Sequence, residues 1–305
     1  MRLRLTLLAV LCCGARIGAH AQSAPPSTDI YLAPVRQQGE RITIGTPVNI
    51  TNRPGYDNQP SFTPDGRSVL FTSVRGDGQA DIYRYDLRSK ATERITSTPE
   101  SEYSPTVYGN GMRFSVVRVE ADSTQRLWSF RLDGSDPQLI FPTIKPVGYH
   151  AWVDSTLVAL FVLGRPNALL LARRNGDRVD TLARDVGRSL LPLPEGGGFS
   201  FVQHAKDSSW VLTAVEVGRG PNGHSDMMMP LARMPAGADY IAWLAPAVAL
   251  SASGSQILLW RGMKGTTWTP VADLARYGLS HITRLALSPD HRWLAIVAEP
   301  VTARR

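Results

Sequence analysis

Short apolar segments recur along this chain, each bounded by a Gly, Asp or Asn turn. Residues 68–73 (Ser-Val-Leu-Phe-Thr-Ser) read as a strand buried on both faces, and 81–87 (Asp-Ile-Tyr-Arg-Tyr-Asp-Leu) alternate as a half-buried strand should. Gly76-Asp77-Gly78 turns the chain between them. Pro64-Asp65-Gly66 turns it before them, with Gly supplying the positive φ that a tight hairpin needs. A short strand at 59–63 precedes this pair and another at 92–96 follows it, so the pattern predicts a four-stranded antiparallel meander.

The meander repeats. Residues 50–66 align without a gap on 95–111, a shift of 45. Ile50 and Ile95, Thr51 and Thr96, Pro54 and Pro99, Pro60 and Pro105, and Gly66 and Gly111 coincide. An acid recurs as Asp57 and Glu102, and the turn pair as Asp65-Gly66 and Asn110-Gly111. A period of about 40–45 residues built from short strands is the signature of propeller blades. In the second repeat, 113–117 is the buried strand and 126–132 the alternating one. The third reads as a turn at 153–155, then strands at 157–163 and 168–173. The fourth has a turn at 195–198, then strands at 199–203 and 209–217. The fifth has a turn at 252–255, then strands at 257–261 and 267–274. The sixth offers 285–290 and then 293–298, after which the chain nearly ends.

That last blade holds only its two inner strands. The missing pair is expected at the other terminus, where Asp29-Ile30-Tyr31-Leu32 repeats the type of Asp81-Ile82-Tyr83, and 47–51 repeats the outer strand ending at Ile95-Thr96. N-terminal strands that complete the C-terminal blade close the ring and leave no free edge at the seam. The expected fold is all-β: a six-bladed β-propeller of four-stranded antiparallel blades, occupying 29–300 as one domain. Residues 218–239 are longer than a blade turn needs and read as an extended surface loop of blade four.

The residues Ser61-Phe62-Thr63-Pro64-Asp65-Gly66-Arg67 and Leu287-Ser288-Pro289-Asp290-His291-Arg292, each followed by an apolar strand, resemble the blade motif of TolB-type (WD40-like) propellers. The likeness is good in blades one, two and six; in blades three to five only period and pattern remain. It implies a repeat type, not an activity. TolB itself carries an additional N-terminal α/β domain, so its partners do not transfer.

Composition changes the picture at the N-terminus. Arg2 and Arg4, the apolar run 3–13 and the small-x-small site Ala19-His20-Ala21 read as a secretory signal peptide over 1–21. A short linker over 22–28 follows it, and 301–305 form a tail. An N-terminal anchor is the alternative, opposed by Arg16; lipid attachment at Cys12 or Cys13 is opposed by the bulky Leu11. Cleavage removes both cysteines, which leaves no disulfide and no thiolate metal ligand. The formal charge of +7 falls to +4 without Arg2, Arg4 and Arg16, and the remaining arginines are scattered. Nucleic-acid binding, which needs a basic stripe with interleaved aromatics, is not expected. No second apolar run reaches membrane-spanning length, so the mature protein is expected to be soluble; the signal peptide makes it periplasmic or secreted, and a monomer is expected.

Asp57 and Glu102 stand at equivalent places just before inner strands. The family resemblance places such side chains near the channel mouth, where some relatives hold a cation, and calcium is the cation that hard oxygen ligands would suit. The matching positions in blades three and four read as Pro146 and roughly Arg188, so a ring of acids is incomplete and turn or cap roles compete with metal ligation. Tyr56, Tyr103, Tyr149 and His150 precede or begin inner strands and are candidates for the same mouth, against a role in blade packing. Gly223-His224-Ser225-Asp226-Met227 has Met where a hydrolase nucleophile elbow needs its last Gly. No cofactor is expected beyond that possible calcium. The first functional reading is a non-enzymatic exported propeller that binds a protein, peptide or envelope component at its central face. The alternative is a metal-dependent lyase or hydrolase acting on a sugar or lactone, with a metal among Asp57, Glu102 and His150.

Overall fold

Twenty-five strands fall into six antiparallel sheets in the computed structural model, which describes residues 26–299 apart from 110, 175, 177, 206, 208 and 219–225. The chain begins with β1 (Asp29–Gln38), β2 (Arg41–Ile44) and β3 (Val48–Asn49). Blade one follows as β4 (Asp57–Phe62), β5 (Ser68–Val74), β6 (Ala80–Asp86) and β7 (Thr92–Arg94). Blade two is β8 (Ser101–Tyr108), β9 (Arg113–Val119), β10 (Gln125–Arg131) and β11 (Gln138–Leu139). Blade three is β12 (Val147–Trp152), β13 (Leu157–Val162), β14 (Ala168–Arg173) and β15 (Val179–Arg184). Blade four is β16 (Val186–Pro192), β17 (Gly198–His204), β18 (Trp210–Glu216) and β19 (Met227–Arg233). Blade five is β20 (Ile241–Ala245), β21 (Val248–Ser253), β22 (Gln256–Arg261) and β23 (Trp268–Asp273). Blade six supplies β24 (Arg284–Leu287) and β25 (Trp293–Ala298).

The N-terminal strands close the ring. β1 runs antiparallel to β25 from Asp29 opposite Ala298 to Pro34 opposite Trp293, and β2 and β3 pair with β1 on its outer side. Ile30, fully buried, packs with Val69, Phe71, Ala295 and Val297, so the seam is held by the same apolar contacts as the other blade interfaces.

The residues repeated at a shift of 45 perform repeated jobs. Thr51 accepts the Ile30 amide through its hydroxyl at 3.0 Å, and Thr96 accepts the Ile82 amide at 2.8 Å. Each ties the outer edge of a blade to its third strand. The turn motif is equally regular. Thr63 donates to Asp65 at 2.6 Å, and Asp65 accepts the Arg67 amide at 3.1 Å. Ser288, Asp290 and Arg292 make the same two bonds at 2.6 and 3.1 Å. Gly66 at φ +67 fills the left-handed position of the first turn, and His291 at φ +58 fills it in blade six.

Two expectations are corrected. Residues 252–255 turn between β21 and β22, not into blade five, because β20 and β21 lie upstream and are joined through Pro246-Ala247, a turn without an Asp-Gly signal. Residues 218–239 are not one loop: Met227–Arg233 forms the outer strand of blade four, paired with β18. Blades three to five therefore keep four strands each. The signal peptide over 1–21, the tail over 301–305 and Gly223, His224 and Ser225 lie outside the described residues. Among the described residues no helix is long and apolar enough to cross a membrane.

Candidate functional site

The first strand of each blade lines the central channel, and two of them carry the same distortion. Between Asn58 and Ser61 the pairing of β4 with β5 slips, and between Tyr103 and Thr106 that of β8 with β9 slips in the same way. The residue before each proline, Gln59 at φ +58 and Ser104 at φ +56, takes a left-handed conformation, away from the extended one that a following proline favours. Such a bulge kinks the strand and re-aims its side chains. Gln59 Oε1 bridges the two bulges by accepting the Ser104 amide and the Thr72 hydroxyl, both at 2.8 Å.

The cavity enclosed by the six inner strands has a volume of about 400 Å³. Pro60, Phe62, Pro105, Trp152 and Trp243 contribute apolar wall, while Tyr149, His150, Arg188, Tyr240 and Arg284 contribute polar groups. Arg284, first residue of β24, is surrounded by protein and opens on the channel with part of its surface. Its Nη2 donates to the Tyr149 hydroxyl at 3.1 Å, and its guanidinium lies 4.0 Å from the Tyr240 ring centre and 5.1 Å from that of Tyr149. Tyr56 lies within electrostatic reach of Arg284, Tyr149, Tyr103 and Arg188, and burial pushes its hydroxyl up to about 12. Burial raises Tyr240 as well. These phenols remain neutral hydrogen-bonding groups at physiological pH.

His150 also lines the cavity, but its imidazole serves the wall. Nε2 shares a 2.6 Å hydrogen bond with Ser115, whose oxygen also accepts the Trp152 indole N–H at 2.8 Å. Burial pushes the imidazole down to about 3, so it stays neutral. An equivalent pair recurs in blade five, where Trp243 donates to Ser200 at 2.9 Å.

Asp57 and Glu102 do not line the cavity. Both are fully buried and held by arginines. Asp57 pairs with Arg53 at 2.8 Å, and Arg53 also donates to Ser73 at 3.4 Å. Glu102 accepts the Thr98 hydroxyl and Arg118 Nε, the latter at 3.1 Å. Arg53 corresponds to Thr98 and Ser73 to Arg118 at the shift of 45, so the two blades exchange the places of arginine and hydroxyl around a constant acid. Burial raises both carboxyls, against the pull of their arginines. Each acid keeps one buried oxygen without a hydrogen-bond partner, Asp57 Oδ1 and Glu102 Oε2, while its other oxygen faces the arginine, whose charge opposes a cation beside it. Among the described residues no group of three or more His, Cys, Asp or Glu is placed to hold a metal ion. Of the predicted site residues, Tyr149 lines the cavity and accepts from Arg284, Tyr56 lies within electrostatic reach of Arg284 and Tyr103, His150 stands in the wall, and Asp57 and Glu102 are buried at their arginines. The structure adds Tyr240, Arg188, which stands near the position that the acids occupy in blades one and two, and Arg284, which opens an otherwise apolar inner strand.

No protein-family model matches the chain. An uncharacterised protein of Agrobacterium fabrum is 31% identical over 81 residues, which cover 27% of this chain and 27% of that protein. The Tol-Pal system protein TolB of Bordetella pertussis is 55% identical over 38 residues, or 12% of this chain and 8% of that protein. The matched segments thus span about a quarter of the first relative and less than a tenth of the second. Among solved structures, a candidate TolB from Agrobacterium tumefaciens superposes with a TM-score of 0.67 at 14% identity, over 90% of this chain and 99% of that one. An oligogalacturonate lyase in complex with manganese gives 0.56 at 13% identity, over 83% and 80%. A chain of a nidogen/laminin complex gives 0.62 at 11% identity, over 85% and 97%. These structures establish the fold, a TolB-type six-bladed propeller.

Proposed function

We propose that this protein is an exported, non-enzymatic propeller that binds a protein, a peptide or another envelope component at its central face. The observation that carries the reading is the composition of the cavity. Tyrosines, tryptophans and prolines share its wall with Arg188 and Arg284. Tyr, Trp and Arg are the residue types that dominate binding energy at protein interfaces, because they bury large rigid surface and still offer hydrogen bonds. The nidogen/laminin neighbour, solved as a complex, supports a binding role, and export rests on the leader read at 1–21. The protein is expected to act as a monomer, which size-exclusion chromatography with light scattering checks.

The test is photocrosslinking from the cavity. A benzophenone amino acid at Tyr240 in the exported protein is expected to trap a partner in the envelope, and the same probe at Met263, 94% exposed, is not. Equal trapping from both positions overturns the reading.

The likeness to a manganese-bound lyase keeps the enzymatic alternative worth one assay. Oligogalacturonate and lactone turnover in the presence of manganese or calcium, lost in Asp57→Asn, would favour it over binding. The arginines held by Asp57 and Glu102 oppose it.

A further inference from the structure

We infer that the central cavity is a carboxylate site, in which Arg284 and Arg188 hold one carboxylate of a peptide partner against Tyr149 and Tyr240. This rests on the reading of the central face as a peptide-binding surface.

The argument begins with the ion pairs. Arg53, Arg94, Arg113, Arg118 and Arg126 each have an acid within hydrogen-bonding distance. Among the described residues no such pair involves Arg284 or Arg188. Enclosing a guanidinium without a counter-charge is costly. Two aromatic faces and one phenol oxygen offset part of that cost for Arg284. A guanidinium carries five N–H donors, and a single side-chain acceptor uses one of them. The others remain for a group inside the channel.

Arg188 adds the second charge. It belongs to β16, its side chain is exposed, and it lines the same cavity. The acid within electrostatic reach of both arginines is Asp239, which receives the Arg188 backbone N–H. Two cations and one acid leave one positive charge in excess, the complement of a carboxylate rather than of a phosphate dianion. A planar guanidinium also matches a planar carboxylate through paired hydrogen bonds. Pro60, Pro105 and Trp243 offer an apolar wall suited to the backbone and side chains of a peptide that carries the acid.

The experiment uses the full mature protein and two probes. Dansyl-labelled pentapeptide pools with a central Glu or a central Gln are titrated by fluorescence anisotropy. Sodium glutarate is compared with sodium chloride at equal ionic strength by thermal unfolding. The expected result is at least a tenfold preference for the Glu pool, reduced below about threefold in Arg284→Gln and in Arg188→Gln. Arg188→Gln alters an exposed side chain and keeps the test valid if Arg284→Gln misfolds. Glutarate is expected to raise the melting temperature of the parent and not of the variants. Equal binding of both pools, with no glutarate effect, overturns the carboxylate site. Glutarate stabilisation that depends on the arginines, without peptide binding, upholds the carboxylate site and overturns the peptide reading. Stronger competition by galacturonate oligomers than by Glu peptides assigns the carboxylate to a sugar acid and overturns the peptide source.

Discussion

Arg284 of blade six and Tyr149 of blade three meet inside the channel, the guanidinium Nη2 donating to the phenol oxygen at 3.1 Å. Blades three and six stand opposite each other in a ring of six, so this bond spans the channel and gathers Tyr240 and Tyr56 around one cation. A cation placed there without an acid partner contributes little to stability. Arg284→Met is therefore expected to leave the unfolding free energy within about 1 kcal/mol of the parent or to raise it, while weakening acidic-peptide binding. Urea denaturation beside the anisotropy titration checks both. A loss above about 3 kcal/mol would show the bond to be a structural brace, since that is the scale of breaking a compensated buried pair.

Blades one and two solve one problem with exchanged residues, which makes a double-mutant cycle informative. Arg118→Ser leaves Glu102 buried without its cation and is expected to cost about 3–5 kcal/mol. Adding Thr98→Arg rebuilds in blade two the arrangement of Arg53 and Ser73 around Asp57. The double variant is expected to recover at least about 1 kcal/mol over Arg118→Ser, measured by denaturant titration, because interacting neighbours are not additive. Additive losses would mean that the two arrangements are not equivalent.

Acid stability carries two opposing signs. His150 is neutral when folded, lowered from 6.5 to about 3 by burial. Between those values the unfolded chain binds the extra proton. The stability His150 allows is therefore complete above pH 6.5 and is lost as pH falls, by about 1.4 kcal/mol per pH unit. Asp57 and Glu102 act the other way, because burial raises their folded carboxyls and lets the native state hold protons more tightly. Their contribution is fully present below the ordinary carboxylate range and is lost as pH rises through their raised values. His150→Gln is expected to flatten the acid limb of a stability-versus-pH curve, and Glu102→Gln to steepen it. An unchanged limb in His150→Gln contradicts the neutral imidazole.

Closure of the ring predicts a sharp contrast within the N-terminal segment. Ile30→Ala removes a fully buried side chain from the seam and is expected to cost about 2–5 kcal/mol. Val48→Ala, at a position 61% exposed on the outer strand, is expected to change stability by less than about 0.5 kcal/mol. Equal small effects in thermal unfolding would indicate that β1 does not hold the seam.

Much of the fold was readable because the repeated residues make local or neighbouring-strand bonds. Thr63 reaches Asp65 two residues away, and Thr51 and Thr96 cap amides of strands in their own blades. Each bond fixes a residue type at a fixed offset, so it leaves a periodic trace. Blade five escaped because its first hairpin turns at Ala247, with φ +51 on a residue that gives no turn signal. Residues 252–255, which do give one, lie one strand later.

The architecture could be read from residue order: six meanders, their turns, and a seam completed by the N-terminal strands. Residue order also put Tyr56, Tyr103 and Tyr149 before or within inner strands, and of these Tyr149 lines the cavity. The folded ring was needed to see that Asp57 and Glu102 pair with arginines and that Arg284 meets a tyrosine 135 positions earlier. The physical reason is distance along the chain. Hairpin geometry is enforced between adjacent residues, whereas the channel is assembled from six strands that meet only after the ring has closed, and no offset in the sequence records which side chains then face each other.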